Sequence, residues 1–183
     1  MKYKARELTL KDGRTCILRS AEKKDAAEML RYMVQVLGET PFLLSSPEDF
    51  AQMPLEQEEA FIENTLAAQR AVMITAFDGD RIIGSADLRS VGERLRVRHR
   101  CGMGITILKE YWSVGLGSAL MEAVIESARA AGYEQLELEV VAENRRAINL
   151  YIKYGFKVYG CLPNKVRYQD GSYAADYLMY KTL

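Results

Sequence analysis

The chain has 183 residues, 49% of them apolar, with 25 basic and 25 acidic side chains. That suffices for one domain with a sizeable core, spanning residues 1–183, and is too little for two. Balanced charge supplies no overall field for nucleic acid or an anionic membrane.

The first residues, Met1-Lys2-Tyr3-Lys4-Ala5-Arg6, lack the apolar run of a signal peptide or membrane span, so a cytoplasmic location is expected. Three separated cysteines (Cys16, Cys101, Cys161) and one histidine, His99, make neither a disulfide framework nor a metal-ligand cluster. Thr15 to Arg19 reads as a first strand, with Ser20 as cap of the helix that follows. That helix carries Ala26, Met29, Leu30, Met33, Val34 and Leu37 on one face and stops near Gly38. Periodicity then vanishes from Glu39 to Met53. Pro41, Ser45, Ser46 and Pro47 mark a loop bearing Phe42, Leu43, Leu44 and Phe50, which either covers a pocket or folds onto its own side chains. Pro54 opens a second helix with Phe61, Ile62, Thr65 and Leu66 inward.

Ala71 to Phe77 and Arg81 to Leu88 are apolar runs joined by Asp78-Gly79-Asp80, a hairpin signal. From Arg94 to Cys101, arginines at alternate positions predict a strand with one basic face, either an anion site or a solvated edge. His99 falls on the other, apolar face. Gly102 and Gly104 suggest a bulge or a close backbone approach before Ile105.

The segment Ile105 to Met121 reads as strand, turn, helix. Its first residues are apolar, Gly115 and Gly117 interrupt, and helical spacing runs from Leu116 through Leu120 and Val124 to Ala128. Unpaired N–H groups and the positive end of the dipole make a helix start an anion site, and glycine lets a diphosphate approach the backbone. A plain strand-to-helix turn would use the same glycines. The segment is neither a P-loop, since Ser118-Ala119 follows Gly117, nor a dinucleotide fingerprint, since Leu120 stands where a third glycine is needed. Beyond Gly132 come a strand, Gln135 to Val141, with Glu137 and Glu139 on one face, and a short helix capped by Asn144 and closed at Gly155. Phe156 to Leu162 and Tyr173 to Leu183 are the last strands, the final one exposed and able to pair with a second copy as a homodimer.

Two stretches resemble the GNAT superfamily of N-acetyltransferases. Trp112-Ser113-Val114-Gly115-Leu116-Gly117 fits its Gln/Arg-x-x-Gly-x-Gly/Ala motif, with Trp112 departing from the usual Gln or Arg. Asn144 to Phe156 fits Asn-x-x-Ala-x-x-Leu-Tyr-x-x-x-Gly-Phe. The resemblance implies an α/β (α+β) fold: a mixed, mostly antiparallel sheet of six to seven strands, flanked by helices and splayed between the fourth and fifth. It implies acetyl-CoA as cosubstrate, no metal, and a primary amine of a small molecule or a peptide N-terminus as acceptor. A CoA-binding sensor or interaction module is the alternative.

On the same resemblance, Ser113, Val114, Gly115, Leu116, Gly117 and Ser118 would hold the diphosphate, Ile105, Thr106 and Ile107 would pair with the pantetheine arm, and Asn144 would contact it. Tyr151 falls at the position of the group that serves the departing thiolate. Glu139 matches the base of the bacterial ribosomal-protein N-terminal alanine acetyltransferases, with Glu137, His99 and Asp176 in reserve. Direct attack of the amine in a ternary complex needs such a base. An α-amine near pKa 8 costs about 1 to 1.5 kcal/mol to deprotonate at neutral pH, against about 4 to 5 for a lysine.

Overall fold

The computed structural model describes residues 1–183. Strands β1 (Arg6–Thr9), β2 (Thr15–Arg19), β3 (Val72–Asp78), β4 (Arg81–Ser90), β5 (Arg100–Ile107), β6 (Gln135–Val141), β7 (Lys157–Arg167) and β8 (Tyr173–Thr182) make one sheet, ordered β1-β2-β3-β4-β5-β6-β8-β7. Helices α1 (Ala26–Gly38), α2 (Pro47–Ala51), α3 (Leu55–Ala67), α4 (Leu116–Ala130) and α5 (Arg145–Lys153) flank it. All neighbouring strands are antiparallel except β5 and β6. Those two pair only at Arg100↔Gln135, Cys101↔Leu136 and Gly102↔Glu137, then splay apart.

Period-two alternation settles which helix covers which face. A Cβ on Gly84 would lie 3.2 Å from Leu116 and 3.3 Å from Leu120, so Gly84 and its partner Ile107 face α4. Ser85 and its partner Thr106 face the other way, where the Tyr32 hydroxyl of α1 donates to Thr106 Oγ1 at 2.8 Å. The α4 face is the drier: Leu116, Leu120, Met121, Ala123, Val124 and Ala128 are fully buried against the sheet. The helix packs on β3, β4 and β5.

The sheet has eight strands where six to seven were expected. The extra one, β1, is nearly all polar and exposed, so no apolar alternation marks it. With it counted, the splay lies between the fifth and sixth strands, the same two segments. The arginine-rich strand does not form: Val97 and Arg98 N–H groups both reach the Arg94 carbonyl, making a helical turn, and β5 starts at Arg100. Alternating arginines without apolar partners opposite them give a strand nothing to bury; Leu95 is left exposed. His99 is half-buried, with its carbonyl serving the Glu134 and Gln135 N–H groups. Ser20 does not cap α1; its hydroxyl accepts from the Tyr3 N–H, and a reciprocal box between Glu22 and Asp25 caps the short 3-10 turn, Lys23–Asp25, that leads into the helix. The last strand is not an edge: β8 lies between β6 and β7, so the exposed pairing edge expected of it belongs to β7. Gly102 and Gly104 sit in unbroken register with β4, so neither makes a bulge; close approach holds at Gly104, where a Cβ would meet Asp87 Oδ1 at 2.6 Å, and not at Gly102, where the nearest atoms are 3.9 Å away.

Candidate active site

The splay opens a cavity of about 1260 Å³. That exceeds the ~300–1,000 Å³ of a pocket for one drug-sized ligand and suits an elongated molecule with a second reactant beside it. At one end stand Ser113, Gly115, Gly117, Ser118 and α5; at the other stand Met33, Phe42, Leu43, Phe50 and Phe61. The loop from Thr40 to Phe50 therefore covers the cavity, with α2 built into it. Phe61, expected inward, is half-exposed at its rim.

The glycine turn is strained on purpose. Gly115 has φ +98° and Ser113 φ +66°, a region that side chains other than glycine enter at a cost. Ser113 is held there by a hydrogen bond from Arg146. The start of α4 has no side-chain cap, so its first N–H groups are open to a ligand. Gly117 lines the cavity, and a Cβ there would press Leu150 Cδ2 at 3.3 Å and Ile107 Cδ1 at 3.4 Å, so the glycine also lets α4 seat against these side chains of the cavity wall. Leu116 is fully buried and offers only its backbone; the Val114 carbonyl is taken by the Lys11 N–H at 2.9 Å. Trp112 stands over Arg146, 4.8 Å from guanidinium to ring centroid, and donates its indole N–H to the Ile107 carbonyl at 2.8 Å.

That bond decides which β5 backbone groups remain. The Leu108 N–H goes to Ile83 of β4, so alternation turns the groups of Met103, Ile105 and Ile107 toward the gap and those of Thr106 toward β4. With the Ile107 carbonyl taken and the Met103 N–H spent on the last rung to Glu137, the Ile105 groups and the Ile107 N–H carry the free edge. Thr106 lines the cavity by its side chain, which Tyr32 engages.

Asn144 both lines the cavity and caps α5, its Oδ1 accepting from the Ala147 N–H at 3.2 Å. Tyr151 reaches the cavity from α5 with its ring 5.8 Å from Phe156 and is 6% exposed; burial raises its pKa, keeping the hydroxyl a proton donor. Glu139 also lines the cavity, half-exposed and 3.0 Å from Lys165 Nζ. Glu137 is clamped by Arg100, 2.8 Å from Nη2 to Oε2, which holds its carboxyl below the usual range and makes it a poor base. Asp176 is 2% exposed, lines the same wall, and has Oδ1 without a partner; burial, then the charge of Glu139, pushes its pKa up. His99 does not line the cavity, nor does any cysteine; burial pushes the Cys101 thiol up to about 12. No cluster of three or more metal-ligating side chains exists, and no helix is long and apolar enough to cross a membrane.

Reading the sequence in segments missed Lys11, whose stem runs beside Gly115, and Arg146. Arg146 follows a cap residue and had a local signal; Lys11 arrives through the β1–β2 hairpin and had none.

The family model for the acetyltransferase (GNAT) family matches residues 37–156. The chain belongs to the GNAT family of N-acetyltransferases. Its fold agrees with a GNAT acetyltransferase from Streptococcus pneumoniae at TM-score 0.86 and 34% identity, covering 92% of this chain and 99% of that one. The L-amino acid N-acetyltransferase AaaT of Escherichia coli is 32% identical over 108 residues, 58% of this chain and 65% of that protein. An N-alpha-acetyltransferase of Sulfurisphaera tokodaii is 30% identical over 128 residues, 65% of this chain and 73% of its own. A putative acetyltransferase of Salmonella typhimurium, solved with acetyl-CoA, shares the fold at TM-score 0.78 and 17% identity, covering 92% of this chain and 94% of that one.

Proposed function

We propose that this GNAT enzyme transfers the acetyl group of acetyl-CoA to a primary amine by direct attack in a ternary complex. One observation carries the reading: a single cavity joins the uncapped start of α4, the unpaired edge of β5 and the buried hydroxyl of Tyr151. The residues fit the cosubstrate in sign and shape. Lys11, Arg145, Arg146 and Lys153 line the α4 end, where the phosphates of CoA would lie on the amides of the Ser113–Ser118 turn. The pantetheine amides would pair with Ile105 as an added strand beside β5, with Asn144 alongside.

The absence of a cysteine from the cavity wall favours direct transfer over a thioester-linked enzyme. In that transfer the amine nitrogen attacks the thioester carbon, and the carbon–sulfur bond breaks. The Tyr151 hydroxyl donates to the departing thiolate. Against a CoA thiol of pKa near 8.5, a tyrosine of ordinary pKa near 10 works by hydrogen bonding more than by yielding its proton, and burial accentuates that. Glu139, half-exposed beside Lys165, would carry the amine's proton to solvent through water. The E. coli relative named for L-amino acids and the N-alpha-acetyltransferase relative both point to an α-amine, the cheaper amine to deprotonate.

The test is calorimetric titration of acetyl-CoA followed, in the same sample, by thiol release with L-amino acids, short peptides bearing free N-termini, polyamines and aminoglycosides. Binding with release for α-amines is the expected result. Binding without release for any amine would leave a CoA-binding module, and no binding would overturn the reading.

A further inference from the structure

Six carboxylates line the cavity: Glu58, Asp87, Glu137, Glu139, Asp176 and the exposed Glu143. The sheet register places Glu137, Glu139 and Asp176 together. Glu137 neighbours Gly102 at the final rung before the splay, Glu139 follows two residues on, and Asp176 stands opposite Val141, two further along the same face. Three of the six have a cation. Asp87 is paired with Arg89, Glu137 with Arg100, and Glu139 with Lys165.

Asp176 has none. It is 2% exposed, and its Oδ1 is sealed from solvent with no hydrogen-bond donor. Its charged neighbours are Glu139 on β6, Glu143 on the β6–α5 connection and Lys165 on β7, and Tyr168 beyond β7 feels its charge. Two of these repel a carboxylate and the single cation is already engaged by Glu139. A buried carboxylate in that position is destabilised until something cationic reaches it. Glu58 is also buried, but it lies on α3, which packs over β3, away from the splayed rungs.

We infer that Asp176 is the group that receives the acceptor: it ion-pairs with the incoming ammonium and takes the first proton from it. The inference deepens the N-acetyltransferase reading and rests on it. An ammonium R–NH3⁺ gives one proton to the Asp176 carboxylate and becomes the neutral amine. Nitrogen attacks the thioester carbon, the carbon–sulfur bond breaks, and the CoA thiolate takes up the second proton lost from nitrogen, with Tyr151 stabilising the sulfur. The proton on Asp176 leaves through Glu139 to water, which restores the carboxylate. Burial raises the affinity of the Asp176 carboxyl for a proton, and Glu139 serves as the exit because it touches solvent. The acceptor class that fits is an amine delivered as a cation.

The experiment compares wild type, Asp176→Asn, Asp176→Glu and Glu139→Gln, using acetyl-CoA and the fastest α-amine from the panel, across about pH 6.5 to 9.5. Asp176→Asn should lower kcat/KM for the amine by about 10²-fold or more at neutral pH. The acetyl-CoA dissociation constant should stay unchanged, because the α4 end is untouched. The defect should shrink as pH rises through the amine's own pKa, since the neutral amine is then already present; a structural lesion would be equal at every pH. Asp176→Glu should recover part of the rate, and Glu139→Gln should lose less than Asp176→Asn. Unchanged kcat/KM in Asp176→Asn, a defect independent of pH, or a greater loss in Glu139→Gln would each overturn the role. Wild type that binds acetyl-CoA but acetylates nothing would remove the N-acetyltransferase reading and this role with it.

Discussion

Gly115 carries the turn into α4 at φ +98°, and nothing but the Lys11 stem lies near the Cβ it lacks. The demand there is conformational, so Gly115→Ala should lower stability by about 1–2 kcal/mol and weaken acetyl-CoA binding together. Parallel thermal melts and calorimetry would show it; lost affinity at wild-type stability would mean the side chain blocks the ligand directly. At Tyr151 the expectation is the reverse. Phenylalanine keeps the ring against Phe156 and removes only the hydroxyl, so kcat should fall by about 10²-fold while acetyl-CoA affinity holds. Because burial raises this tyrosine's pKa, its ionisation should add no alkaline limb to the rate below the ordinary tyrosine value of about 10. Unchanged turnover in Tyr151→Phe would remove the role. The residues legible beforehand, Gly115, Asn144 and Tyr151, each answer a need set within a few positions of chain. Lys11 and the isolation of Asp176 depend on which distant strands meet, and no local spacing encodes that.

Among the elements, α1 is fixed by an ion pair at its start. Burial pushes the Asp25 carboxyl up, but the Arg19 guanidinium, with Nη1 2.6 Å away, and the Glu22 N–H outweigh it and hold the pKa below the usual carboxylate range. A carboxyl whose folded pKa is depressed stabilises the fold fully above its unfolded pKa, and the contribution is lost as pH falls through the folded value. Asp25→Asn should cost about 1–3 kcal/mol near pH 7, a gap that narrows below about pH 4; denaturant melts at both pH values measure it. A gap of equal size in acid would show that the cap geometry matters and the charge does not. The helices, the β3–β4 hairpin and the two motif segments follow from periodicity and capping residues. Two errors share one cause: polar sequence carries no signal for β1, which is a strand, and alternation at Arg94 to Arg98 gave one for a strand that is absent. Pairing in both places is decided by the neighbour: β1 lies on β2, whereas the arginines have no strand opposite.

At the scale of the molecule, the sheet is two blocks, β1 to β5 and β6 with β8 and β7, joined by three backbone rungs. Beyond that last rung the backbone groups of Ile105 and the Ile107 N–H face an open gap, so the protein gives up strand pairing where an all-paired sheet would have it. A pantetheine arm lying there would replace those rungs, and the anionic end would meet Lys11, Arg145 and Arg146 at the uncapped start of α4. Binding to the folded state alone stabilises by about 2.7 kcal/mol at a hundredfold excess over the dissociation constant, so the melting temperature should climb with acetyl-CoA concentration. The distribution of that gain is the sharper test. Hydrogen exchange should slow at the Ile105 and Ile107 amides and at the Gly117 and Ser118 amides. Adenosine 3′,5′-diphosphate, which lacks the pantetheine arm and the full diphosphate, should leave Ile105 and Ile107 exchanging as in the free protein. Equal protection of those two amides by both ligands would mean that the gap closes on itself when the phosphate end is filled, and that the cofactor does not serve as its missing strand.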